Sequence, residues 1–115
     1  MSLNVKTAKT YDAPVSAVFQ AALGAIGGLE GKVVRQDSAK GQIEATFDKK
    51  ILGKTLGDRS HIDVGITQDA EGKSVVAIDA YPLDAIGRRL MFGARQGVTE
   101  TVVSWFFAHL EHRLA

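Results

Sequence analysis

The sequence contains no cysteine, which removes disulfides, thiolate metal ligands and thiol nucleophiles from consideration. No apolar run approaches the roughly 20 residues needed to cross a bilayer, and Met1 to Lys9 lacks the apolar centre of a signal peptide. Neither sign of charge dominates, since 14 Lys and Arg against 13 Asp and Glu leave a formal net charge of +1. No overall field gathers polyanions, so nucleic acid is not an expected partner. These absences fit a cytoplasmic protein, a provisional expectation because Met1-Ser2-Leu3 suits equally a start that replaced a native leader.

Catalytic signatures are also missing. Ser60 adjoins His61, but neighbours on a strand point to opposite faces, so no nucleophile-base pair or triad can be drawn. Gly24, Gly27, Gly28 and Gly31 lack the strand-to-helix setting of a nucleotide-binding loop, and Gly27-Gly28 reads as a helix exit. No cofactor is expected.

What is present is a chain of 115 residues, 45% hydrophobic and 23% charged, which suits one domain over residues 1–115. Asn4 to Thr10 alternates weakly as a strand. Pro14 fits the first turn of a helix entered from Asp12 or Ala13 and running to about Gly27, with Val15, Val18, Phe19, Ala22, Leu23 and Ile26 on one face. From Glu30 the period changes to two. Lys32 to Asp37 and the alternation of Ile43, Ala45 and Phe47 make a hairpin, and Ile51 to Leu56 either extends the second strand or forms a loop. Ile62, Val64 and Ile66, then Val76, Ile78 and Ala80, give two further half-buried strands, the last ending at Pro82. Short connections make the four strands an antiparallel meander. Val102, Val103, Phe106, Leu110 and Leu114 form the apolar stripe of a closing helix that begins between Ala94 and Thr99, flanked by Trp105 and Phe107.

The predicted fold class is α+β: strand, helix, four antiparallel strands and a long C-terminal helix packed on one face of the sheet. That order, with the entry segment Tyr11-Asp12-Ala13-Pro14-Val15-Ser16-Ala17-Val18-Phe19, resembles the helix-grip and TATA-binding-protein-like folds, which include the Bet v 1-like lipid-binding domains. The resemblance implies a curved sheet gripping the last helix. The chain departs from it in having room for about five strands, fewer than those domains usually have, which puts a roomy cavity in doubt.

Three groups of residues carry chemical interest. In a meander, the loop over Lys49 to Arg59 and the exit from the last strand lie at the same end of the sheet. Arg59, Ile86, Arg88, Arg89, Leu90, Met91, Phe92 and Arg95 then make a surface both cationic and apolar, suited to the head and tail of a small amphiphile. The alternative is that the apolar residues cap the core while the arginines pair with Asp48, Asp58 and Asp84 in solvent. Contact of Arg88 to Phe92 with a membrane is not favoured, since so few basic residues anchor weakly.

His61 and Asp63 share a strand face with Asp79 and Tyr81 as neighbours, an acid-base arrangement or simply a hydrated face. His109 and His112, three apart on a helix, can approach one metal ion but lack a third ligand. Three functional readings follow: a binder of an apolar or amphiphilic molecule between sheet and C-terminal helix; an interaction or homodimerisation module using Leu90, Met91, Phe92, Trp105 and Phe107; and an enzyme using His61 and Asp63 with Tyr81 as proton donor.

Overall fold

In the computed structural model, which describes residues 4–84, 86–90 and 97–114, the elements follow the predicted order with one addition. Strand β1 (Val5–Tyr11) leads into helix α1 (Val15–Gly28). Strands β2 (Lys32–Asp37) and β3 (Gln42–Phe47) form a hairpin, followed by the short strands β4 (Lys50–Ile51) and β5 (Lys54–Thr55). The long strands β6 (Arg59–Gln68) and β7 (Ser74–Leu83) precede the C-terminal helix α2 (Val98–Leu114).

The main sheet has the order β1-β7-β6-β3-β2 and is antiparallel throughout. The meander β2-β3-β6-β7 brings its last strand beside β1, so the N-terminal strand closes the sheet at one edge. Both helices pack against one face and against each other. Gly24 and Gly28 lie under α2: a Cβ on Gly24 would stand 2.6 Å from Arg113 Nε, and one on Gly28 would stand 3.1 Å from His109 Nδ1. These glycines are therefore where one helix approaches the other, a role separate from the helix exit read from sequence.

The alternation written in the sequence is the alternation of burial. Ile43, Ala45 and Phe47, Ile62, Val64 and Ile66, and Val76, Ile78 and Ala80 face the helices and are buried. Val18, Ala22 and Ile26 of α1 and Val102, Phe106 and Leu110 of α2 meet them. Phe107, expected to flank the α2 stripe, is also buried, and the Lys9 ammonium lies 4.8 Å from its ring centroid. The opposite face of the sheet carries the polar residues of the same strands.

Local departures from the expectations have physical causes. Pro14 is itself the entry residue of α1, with φ −64° and ψ 149°, and its carbonyl accepts the Val18 N–H at 3.0 Å. β7 continues through Pro82 to Leu83. The carbonyl of Pro82 accepts the Leu90 N–H at 2.8 Å, so this residue's backbone polar side faces the returning chain and its missing N–H takes nothing from the β6 ladder. The segment Ile51 to Leu56 neither extends β3 nor remains a loop. Leu52 and Gly53 have φ of 52° and 84°, the double positive φ of a tight hairpin turn, and they fold β4 back onto β5.

Candidate functional site

One concave surface lies beside α2 and another on the far face of the sheet. The first is a slot of about 350 Å³ between the β4–β5 hairpin and α2, lined by Leu29, Ile51, Leu52, Trp105, Ala108 and His109, with Lys54 at its side. Ile51 is buried and holds the hairpin against the domain, whereas Leu52 is 57% exposed. The Lys54 ammonium stands 5.6 Å from the Trp105 ring centroid, within cation–π range. An apolar wall with one adjacent cation is the chemistry of a site for a small amphiphile with a negative head.

The second surface is an open groove of about 880 Å³ across the face of the sheet away from the helices. Register fixes its composition. Lys6, Asp79, Asp63, Glu44 and Arg35 are successive partners across β1, β7, β6, β3 and β2, so a row of three carboxylates runs between two cations. The adjoining row is Ala8, Ala77, Gly65, Gln42 and Asp37, and its first three members carry a methyl group or no side chain, which leaves the hollow open at β1, β7 and β6.

Next to the carboxylates, His61 Nε2 lies 2.8 Å from Asp63 Oδ1, and the imidazole stacks on Tyr81 with centroids 4.8 Å apart and planes at 15°. The Arg89 guanidinium carbon lies 4.1 Å from the Tyr81 centroid. His61, Asp63 and Tyr81, singled out from sequence as an acid-base group, thus share one face with Arg89, which sequence placed in a different group. Asp79 is bonded to the Asn4 amide at 3.1 Å. Ser60 is completely buried on the helix side, its hydroxyl has no partner among the described residues, and its strand neighbour His61 points the other way.

Chain return after β7 explains the position of Arg89. Asp84 N donates to the Arg88 carbonyl at 2.7 Å and Gly87 N to the Asp84 carbonyl at 3.1 Å, so the backbone reverses and Arg89 pairs with Leu83. Arg59 is the partner of Leu83 on its other side. The structure therefore sets Arg59 and Arg89 on either side of one residue at the end of the sheet. Arg59 pairs with Asp48 at 3.7 Å and Arg88 with Asp84 at 3.8 Å. The Asp84 carboxyl is held below the usual carboxylate range, chiefly by the Arg88 backbone N–H and further by the Ile86 N–H and the Arg88 charge. Ile86 is 70% exposed, and the Leu90 amide is spent on Pro82. Met91, Phe92 and Arg95 lie outside the described residues.

On α2, His109 is half-buried beside Gly28 and lines the slot, while His112 is exposed. Among the described residues no third metal-ligating side chain joins this pair. The side chains that do bring three such groups together are Glu44, His61 and Asp63, with ligand atoms within 4.8 Å of one another. Sequence reasoning placed His61 with Asp63 but passed over Glu44. Its signal was available in the alternation of the β3 segment, and only the strand register puts Glu44 opposite Asp63.

No protein-family model matches the sequence, and no curated protein is recognisably related to it. Solved structures are similar in fold. Ara h 8.0201, a Bet v 1-like protein, has a TM-score of 0.61 at 10% identity, over 96% of this chain and 97% of that one. A structural-genomics protein from Nitrosospira multiformis has a TM-score of 0.60 at 13% identity, over 97% and 96% of the two chains. CalU16 from Micromonospora echinospora has a TM-score of 0.58 at 14% identity, over 93% of this chain and 71% of that one. The resemblance to Bet v 1-like, helix-grip proteins is thus present in the folded chain, and at these identities it is a resemblance of fold.

Proposed function

We propose that this chain is a binding domain for a small amphiphilic molecule with an anionic head, held beside α2 in the slot under the β4–β5 hairpin. The observation that carries the reading is the slot itself, whose volume of about 350 Å³ lies within the range of small-molecule sites. Leu29, Ile51, Leu52 and Trp105 supply apolar area for a chain, and Lys54 supplies a cation for the head. The cation beside the apolar wall is Lys54, whereas Arg89 lies over Tyr81 on the far face of the sheet and Arg88 pairs with Asp84. The Bet v 1-like fold agrees with a binding role without deciding it, since one fold serves many activities.

Trp105 is the single tryptophan of the chain, so its fluorescence reports this slot directly. Titration with laurate below its micellar range is expected to give a saturable change in intensity and wavelength. Lys54→Glu is expected to weaken binding several-fold, since it reverses an exposed charge whose attraction solvent screens. Dodecyl maltoside, which has the same tail and a neutral head, is expected to bind more weakly than laurate and to be indifferent to Lys54→Glu. A flat laurate titration, or one insensitive to both Lys54→Glu and Leu52→Asp, rejects the reading.

A further inference from the structure

We propose that Glu44, His61 and Asp63 form a site for a first-row divalent cation of the zinc type, on the sheet face away from the helices and independent of the slot beside α2. The donor set is one imidazole nitrogen and two carboxylates, with ligand atoms all within 4.8 Å of one another. Nitrogen and carboxylate donors bind zinc at about 2.0 to 2.2 Å in a tetrahedral arrangement, so its ligand atoms stand roughly 3.3 to 3.6 Å apart. The 2.8 Å between His61 Nε2 and Asp63 Oδ1 is a hydrogen bond, and an ion taking the place of its proton needs the two atoms to part by only about half an ångström. Glu44 closes the set by turning a flexible side chain that is 38% exposed.

The backbone prepares this arrangement. His61 and Asp63 are two apart on β6 and so share a face, and Glu44 is the register partner of Asp63 on β3. Ligands on paired strands are held more firmly than ligands on loops. The imidazole, only 14% exposed, is oriented by its stack on Tyr81, over which Arg89 lies in turn. The stack limits the imidazole to one ring plane, so the ligand is oriented before an ion arrives.

Charge argues the same way. Glu44, Asp63 and Asp79 are side by side on adjacent strands, and like charges directly opposite one another destabilise a sheet. Arg35, 3.6 Å from Glu44, offsets part of this from the edge. A dication between Glu44 and Asp63 would offset it at the centre. Imidazole beside carboxylates suits zinc, iron or nickel better than calcium or magnesium, which prefer oxygen alone. Both carboxylates also line the groove of about 880 Å³, so the remaining coordination positions open onto space for water or a small ligand.

Isothermal titration of the full chain with zinc chloride tests the proposal. A single saturable site is expected, weakened at least tenfold by Asp63→Asn and by Glu44→Gln, both of which preserve shape. Arg35→Ala is expected to tighten binding several-fold, because it frees Glu44 from its present partner. The imidazole resonances of His61 should shift on addition of zinc in wild type, and in Asp63→Asn should need at least tenfold more zinc to shift. The paired substitutions His109→Gln and His112→Gln should leave the affinity unchanged. Absence of saturable heat up to millimolar zinc overturns the proposal, as does binding that survives Asp63→Asn and Glu44→Gln but disappears with His109→Gln and His112→Gln.

Discussion

Glu30 and Leu52 are the non-glycine residues with positive φ among those described, at 63° and 52°, and the Leu52 N–H donates to Glu30 Oε1 at 2.6 Å. Two residues in a conformation that L-amino acids avoid are thus tied together, and one of them, Leu52, lines the slot beside α2. A side chain in this region costs roughly 1 to 2 kcal/mol, and such costs concentrate where a surface is shaped for use. Here the Glu30 hydrogen bond offsets part of that cost and holds the exposed Leu52, which lines the slot together with Trp105 and Ala108.

Leu52→Asn should separate the stability of that turn from its use. Asparagine tolerates positive φ, and Leu52 buries little, so thermal denaturation should give a melting temperature equal to or slightly above that of wild type. Laurate affinity read by Trp105 fluorescence should fall, because the wall loses its apolar side chain. Glu30→Ala should instead release the hairpin, seen as at least tenfold faster exchange of the Leu52 amide hydrogen.

Gly41 is a further backbone position with a sharp requirement. It turns β2 into β3 with φ 65°, its carbonyl accepts the Ile66 N–H at 2.7 Å, and a Cβ there would collide with the Ile66 carbonyl oxygen. Gly41→Ala should cost about 1 to 3 kcal/mol, read as a lower urea midpoint with an unchanged slope.

The core can be tested at Phe106, which is completely buried where α2 meets the sheet. Phe106→Ala should cost about 3 to 5 kcal/mol in urea denaturation, from lost transfer energy and the cavity left behind.

Most of the architecture was legible in the sequence because burial writes itself as periodicity. Alternation of Ile62, Val64 and Ile66 and the three- and four-residue spacing of Val102, Phe106 and Leu110 each report one buried face, and these faces are the core. The β4–β5 hairpin was not legible: its turn uses Leu52 in a conformation for which leucine gives no signal, and strands of two residues are too short to show a period. The candidate sites were legible only in parts. His61 with Asp63 and Tyr81 follows from strand faces and pairing, but Glu44 needs a known register, and Lys54 beside Trp105 needs the fold of the hairpin. Arg89 could be recognised as a cation near the end of the sheet, yet its place over Tyr81 depends on the reversal at Asp84 to Arg88.

The closure of the sheet by β1 is coupled to pH through α2. Tyr11 donates its hydroxyl hydrogen to Glu111 Oε2 at 2.7 Å, and Lys9 reaches the same oxygen at 3.3 Å. The Glu111 carboxyl is held below the usual carboxylate range by the Tyr11 hydroxyl first and by Lys9 second, while burial works against them. A carboxyl with a depressed folded-state value stabilises the fold above its unfolded value and loses that contribution as pH falls through the folded one. The Tyr11 phenol is pushed well above its ordinary range, chiefly by burial and then by Glu111, so its contribution is present below the ordinary phenol value and is lost as pH rises beyond it. Tyr11→Phe should therefore cost most near neutrality, about 1 kcal/mol because the acceptor is largely exposed. The gap from wild type should narrow on acidification below the usual carboxylate range, when Glu111 becomes protonated in both proteins. Urea denaturation at a series of pH values measures that gap. In Tyr81→Phe, where Tyr11 is the single tyrosine, the phenolate absorbance near 295 nm should rise only well above the ordinary phenol range; a rise at the ordinary value would show that β1 is not held to α2 in this way.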